Sequence, residues 1–254
     1  DESFYGCSAL NNIILGDSIG SLGDNVFSYC TSLSEIVIPD SIHSAGKYCF
    51  CGCSSLTDAI INGTKSIQEN TFQDCIALKN VKIGNHVSSI CDYAFSGCSS
   101  LKDMIIGDSV TSIGSYAFSN CSALEQIQMG CSVGTINSYA FMGCSALTNI
   151  NLSNNVTTIK SYAFENCSSL PNIIIPQSVR SIDNNAFKGC ASLADVIIED
   201  RSTKLELGSN GSSPLFADCP LDSIYIGGKI TYNTSKNSGY SPFYRNTSLR
   251  TITI

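Results

Sequence analysis

The stretch IGSYAFSNCSAL at 113–124 is nearly copied by INSYAFMGCSAL at 136–147 and by IKSYAFENCSSL at 159–170, each 23 residues after the last. One frame runs through the chain: Phe, two residues, Cys, two residues, Leu. It occurs at Phe4-Cys7-Leu10, Phe27-Cys30-Leu33, Phe50-Cys53-Leu56, Phe72-Cys75-Leu78 and Phe95-Cys98-Leu101. It continues at Phe118-Cys121-Leu124, Phe141-Cys144-Leu147, Phe164-Cys167-Leu170 and Phe187-Cys190-Leu193. Phe216-Cys219-Leu221 is one residue shorter, and between Phe243 and Leu249 Asn246 stands where the cysteine would be. The spacing is 23, once 22, as far as Phe187, then 29 and 27, which makes eleven units. A unit this short cannot bury an apolar face by itself. The period therefore predicts a solenoid, each coil covered by its neighbours.

Within a unit the pattern changes from strand to turn. Leu33-Ser-Glu-Ile36-Val-Ile38 alternates, which sends Ile36 and Ile38 inward and Glu35 and Val37 outward. Turn residues follow, as in Pro39-Asp40 and Gly107-Asp108. A second apolar pair comes next, Val110 with Ile113 or Val133 with Ile136, and A-F-x-x-C closes the coil as a short irregular helical turn. Strands stacked ~4.8 Å apart make eleven units roughly 50 Å long, with a parallel sheet on one curved side.

These residues resemble the BspA-like (treponemal-type) leucine-rich repeats, with a consensus near L-x-x-I-x-I-P-x-x-V-x-x-I-G-x-x-A-F-x-x-C-x-x-L. The resemblance implies a leucine-rich-repeat solenoid: a curved right-handed coil, a parallel β-sheet on the concave side and short irregular or helical turns on the convex side. It covers residues 1–254 as one solenoid, regular over 1–198. Residues 199–254 are less regular, because EDRSTKLELGSNGSSP (199–214) and GGKITYNTSKNSGYSP (227–242) carry insertions and lose the second apolar pair. Members of the family are mostly surface-displayed proteins of mucosal bacteria and protozoa, several of them adhesins. The resemblance thus implies a non-catalytic module, at the cell surface or secreted. Its protein partner would be host extracellular matrix or another microbe's surface protein. Residue 1 falls inside a repeat and Ile254 inside a strand, which predicts a fragment of a longer protein, export signal and anchor lying elsewhere, with open ends that allow end-to-end self-association. A structural spacer or self-assembling surface array is the alternative. An intracellular scaffold is a third, since reduced thiols also suit the cytosol.

Ten of the 14 cysteines form the repeat column. Equivalent side chains on stacked coils point in parallel, whereas a disulfide needs converging Cβ vectors. The column therefore reads as buried thiols, each donating to a neighbouring carbonyl, rather than as bridges or metal ligands. Asn246, another small donor, fits that reading. Phe95, Cys98, Phe118, Cys121, Phe141, Cys144, Phe164 and Cys167 are the centre of this structural ladder. Of the other four, Cys49 is expected inward and Cys51, Cys91 and Cys131 exposed. CFCGC (49–53) has soft-metal spacing, but it lacks histidine and its register spreads the thiols. No metal and no cofactor are expected.

Charged residues make up 14% and the net charge is −7 without runs of like charge. Nucleic acid, which needs clustered cations, is excluded as a partner. No apolar run approaches the roughly 20 residues of a membrane span. His43 and His86 occupy different columns, and no G-x-S-x-G, Walker loop or H-E-x-x-H occurs, so no enzyme is expected. Binding is assigned to two outward columns of the concave face. One is polar, with Glu35, Asp58, Asp103, Gln126 and Asn149 beside Asn12, Asn80, Asn172 and Asp195, and it is expected to hydrogen-bond along itself. The other is Ile14, Val37, Ile60, Lys82, Ile105, Gln128, Asn151, Ile174, Ile197, Tyr225 and Thr253. Its apolar members suit either an open sheet or a contact stripe, which Gln128 and Asn151 would split in two. Tyr48, Tyr93, Tyr116, Tyr139 and Tyr162 form a further column, expected on the outer edge of the convex side as self-packing or as a second stripe. N-x-S/T sequons include Asn62, Asn120, Asn155, Asn166, Asn210, Asn233 and Asn246. Asn210 and Asn233, in the inserts, are the best placed for a glycan.

Overall fold

Each unit folds into one coil holding two strands. A face strand of three or four residues follows each Leu, as in Glu35–Ile38, and a flank strand of two or three residues ends the second apolar pair, as in Ser112–Ile113. The computed structural model describes residues 1–208, 214–232, 241–244 and 246–254. Among them are twenty strands, ten in each file. The solenoid thus makes about nine full turns instead of the eleven units counted in sequence. The first unit has a neighbour on one side only, and its segment from Leu10 to Leu15 forms no strand.

All pairing is parallel and in register, as in Asp103↔Gln126↔Asn149. The flank strands build one eight-stranded sheet from Ser66–Ile67 to Ile230–Tyr232, with Ser21–Leu22 and Ser44–Ala45 paired separately. That sheet runs through the first insert, where Leu207 stands opposite Ile182 and restores the apolar position missing from the repeat frame. The face strands divide into three sheets, Glu35–Ile38 to Asn80–Ile83, Asp103–Ile105 to Asn149–Asn151, and Asn172–Ile175 to Thr251–Thr253. The second division has a chemical cause. Thr148 N–H donates to the Glu125 carbonyl at 3.0 Å, but the next residue in that column is Pro171, which has no N–H.

The closing segment is not helical, contrary to the sequence-based expectation. Its N–H groups alternate between two destinations. Ser96 and Cys98 donate to carbonyls three residues back (3.1 and 3.2 Å), while Tyr93, Phe95 and Gly97 donate to Ser115, Ala117 and Ser119 of the next coil (3.0, 2.8 and 2.8 Å). From Phe4 to Phe187 a left-handed residue two before the Phe and another two after it enforce this alternation, for example Tyr93 (φ 58°) and Gly97 (φ 77°). The first of these columns is filled by Tyr or Asn after Glu2, and the second largely by Gly, Asn and Asp, the residues that reach this region at least cost.

Between the strand files and the turns lies a core of vertical columns. Phe rings stack from Phe4 to Phe243 with centroids 5.3–5.6 Å apart. Next to them run the thiols. Cys121 donates to the Phe95 carbonyl at 3.2 Å, and the same bond repeats at Cys98, Cys144, Cys167 and Cys190. Asn246 Nδ2 reaches the equivalent carbonyl of Phe216 at 3.4 Å, so it takes over the cysteine's donor role. Burial pushes the Cys49, Cys53 and Cys121 thiols up to about 12.

Two expectations about cysteine need correcting. Cys51 is buried, at 5% exposure, because its column is a packed one that also holds Ser28, Ser96 and Ser119, and Tyr29 covers it. Cys91 is half-buried and Cys7, in the first repeat unit, is exposed, while Cys131 is exposed as expected. Native alkylation is therefore expected to label Cys7 and Cys131 fast, Cys91 slowly and the eleven buried thiols only on unfolding. Peptide mapping of early adducts checks this, and early labelling at Cys121 or Cys144 contradicts it.

Candidate functional site

The alternation of the face strands delivers the outward columns as expected. Ile36, Ile38, Ile173 and Ile175 are buried, while Val37, Ile174, Ile197 and Tyr225 between them are exposed, and Ile105 is 63% exposed. Ile60 is half-buried. Register places Val37, Ile60 and Lys82 side by side, and likewise Ile174, Ile197, Tyr225 and Thr253. Gln128 and Asn151, both exposed, follow Ile105 and separate the two apolar groups. The polar column bonds along itself at two steps, Asn80 Nδ2 to Asp58 (2.7 Å) and Ser223 Oγ to Asp195. The Thr57 hydroxyl at 2.6 Å and the Asn80 amide hold the Asp58 carboxyl below its ordinary value. Glu35, Asp103, Gln126 and Asn149 lie exposed in the same column.

The first division of the face sheet opens a cleft. No strand pairing joins Asn80–Ile83 to Asp103–Ile105. Where Thr57 donates to Ser34 and Glu125 to Lys102, both at 2.8 Å, Lys102 makes no such bond to Lys79. Val81 and Ile83, inward by register, are consequently only half-buried, in contrast to Ile36 and Ile38 at 1%. At the Pro171 division the inward side chains stay covered, with Ile150 and Ile173 both buried. The cleft has a volume of about 720 Å³, and Val81, Ile60, Ile105 and three lysines, Lys79, Lys82 and Lys102, line it. Sequence reading selected Ile60, Lys82 and Ile105 but missed Val81, Lys79 and Lys102. The available signal was two lysines in succession at the position after the column Leu.

The tyrosines pack on one another. Tyr93, Tyr116, Tyr139 and Tyr162 stack with centroids 4.5–4.7 Å apart, and Lys188 Nζ lies 6.0 Å from the Tyr162 ring centroid. All four have φ of 58–61°, a conformation that costs a bulky residue about 1–2 kcal/mol. Stacking returns about 0.5–1.5 kcal/mol per pair and covers the ring faces. Among the described residues no three His, Cys, Asp or Glu side chains converge to hold a metal ion, and no helix is long and apolar enough to cross a membrane. Asn210 and Asn233 lie outside the described residues. The Asn246 amide is engaged with Phe216, which opposes a glycan there.

A stack of 23-residue coils with inward Phe and Cys files and an outward strand face has a counterpart among known families. Residues 1–102, 65–194 and 160–254 match the BspA-type leucine-rich repeat region. The chain belongs to the BspA-type leucine-rich-repeat family. A comparison with curated protein sequences found no match. Among solved structures, a leucine-rich cell-surface protein from Faecalibacterium prausnitzii is 25% identical, with a TM-score of 0.59 over 92% of this chain and 83% of that one. A leucine-rich repeat protein from Bacteroides ovatus is 24% identical, with a TM-score of 0.53 over 91% and 80%. One from Eubacterium ventriosum is 20% identical, with a TM-score of 0.58 over 89% and 66%. The likeness to the last two establishes the fold. The BspA-type repeat accounts for the inward files.

Proposed function

We propose that residues 1–254 form one solenoid that is a non-catalytic protein-binding module of a cell-surface or secreted protein, and that it contacts host or microbial proteins through the concave face. The observation that carries this reading is the pair of outward apolar groups, Val37, half-buried Ile60 and Ile105 on one side and Ile174, Ile197 and Tyr225 on the other. Exposed apolar residues this closely spaced mark contact sites on soluble repeat surfaces. Glu35, Asp58, Lys82, Asp103, Gln126, Gln128, Asn149 and Asn151 supply the polar rim. The cell-surface description of the F. prausnitzii relative supports the location. The absence of a nucleophile–base pair from the sequence motifs, together with exposed, unpaired His43 and His86, supports a binding rather than a catalytic role.

The test is capture on immobilised extracellular-matrix protein by Ile174→Asp with Ile197→Asp. Both side chains are exposed, so the circular dichroism and urea midpoint should match those of the parent. Capture is expected to fall about tenfold or more, the equivalent of about 1.4 kcal/mol. Undiminished capture by the folded variant rejects the concave face as the contact.

A further inference from the structure

We infer that the cleft between Asn80–Ile83 and Asp103–Ile105 is the specificity pocket of this face, and that it takes an aliphatic side chain from an extended peptide segment whose flanking residues are acidic. The inference rests on the protein-binding reading of the face and names its partner chemistry.

Three observations converge on it. The pocket floor is apolar and half-open, because Val81 is the one half-buried member of an inward column whose other members from Ile36 to Ile224 are all buried. An aliphatic group entering there removes that surface from water as the missing coil contact would. The rim is cationic within an acidic chain. Three lysines meet two carboxylates, Asp58 and Asp103, in a protein of net charge −7. Asp58 is engaged by Thr57 and Asn80 and Lys102 pairs with Glu125 at 3.9 Å, so Lys79 and Lys82 carry the rim's attraction for an anionic segment. Finally, no pairing joins the two strand edges, so backbone donors and acceptors at the mouth of the opening are left for polar groups of a peptide lying across it. The opening is too narrow for a whole strand. Some Cα pairs across it lie within 8 Å, whereas an inserted strand needs about 9.6 Å, two strand spacings. A side chain enters, and the peptide lies along the face.

The probe is a fluorescein-labelled pentapeptide, Glu-Asp-Leu-Asp-Glu with blocked ends, titrated by fluorescence anisotropy. Two controls replace Leu by Ser, or the four acids by Lys. The acidic Leu peptide is expected to bind about tenfold tighter than either control, and more weakly as salt rises. Lys79→Glu with Lys82→Glu, both exposed positions, should lose that preference and favour the lysine peptide, while the charge-matched Lys204→Glu with Lys229→Glu, exposed and outside the cleft, should leave peptide affinity unchanged. No binding, equal binding of the Ser control, or an unaltered charge preference in K79E/K82E overturns the pocket. Matrix capture that depends on Ile174 and Ile197 while the peptide fails to bind removes the pocket and leaves the binding face. Loss of both removes both.

Discussion

Raising the pH from about 8 to about 10 is expected to lower the unfolding free energy by several kcal/mol and bring the chain near its alkaline unfolding midpoint. The cause is the thiol column. Cys49, Cys53 and Cys121 have their thiols raised by burial from the ordinary 9.0 to about 12, and Cys51 to about 11. The folded chain therefore holds protons that the unfolded chain releases above pH 9. A raised thiol contributes stability that is complete below the unfolded value and declines as pH climbs through the window from about 9 to about 12. At about pH 10 each such group forfeits on the order of 1 kcal/mol, and three together several kcal/mol. Cys75, Cys98 and Cys144, raised well above 9.0 by burial, act in the same direction. Since domains hold only about 5–15 kcal/mol in all, this is a large share. Urea midpoints measured at pH 8, 9 and 10 under reductant should fall steadily, and Cys121→Ala should make the decline shallower. A midpoint independent of pH across this range contradicts the buried column.

Phe118→Ala is expected to cost about 3–5 kcal/mol. Phe118 is fully buried and stacks on Phe95 at 5.3 Å and Phe141 at 5.4 Å, so truncation opens a cavity between two rings that the backbone bonds of three coils hold apart. In a solenoid each coil depends on its neighbours, so the damage spreads up and down the stack. Phe4→Ala supplies the contrast. Phe4 touches one ring only, Phe27 at 5.3 Å, and is 48% exposed, so its truncation should cost under about 1.5 kcal/mol. Urea unfolding of both variants measures the difference, and equal losses would show that the ring file adds nothing beyond its terminal contacts.

Several of these features were legible in the sequence. The Phe, Cys and Leu files, the outward stripe from Val37 to Tyr225 and its interruption at Gln128 and Asn151 follow from the repeat and strand alternation alone. The cysteine-to-carbonyl bond was legible through Asn246, a substitution that keeps a donor and discards a thiol. Cys51 was misread because small polar residues in a column look solvated, whereas Ser28 and Ser119 are buried in the turn stack. One exchange in the sequence marks the closing turn as left-handed instead of helical. Asn25, Asn70 and Asn185 alternate with tyrosines two residues before Phe, and Asn is the residue that signals left-handed backbone.

The period by itself determined which residues stack on which, because a side chain's column depends only on its position within the coil. The tertiary structure alone decided where the stack opens. The strand sequence Asn80-Val81-Lys82-Ile83 is ordinary, and nothing in it foretells that its bonds to the next coil are not made. Hydrogen bonding between coils depends on how far one backbone is displaced from the next, a quantity set jointly by every turn in both coils. Pro171, which lacks a donor, is the one division of the face that a single residue could announce.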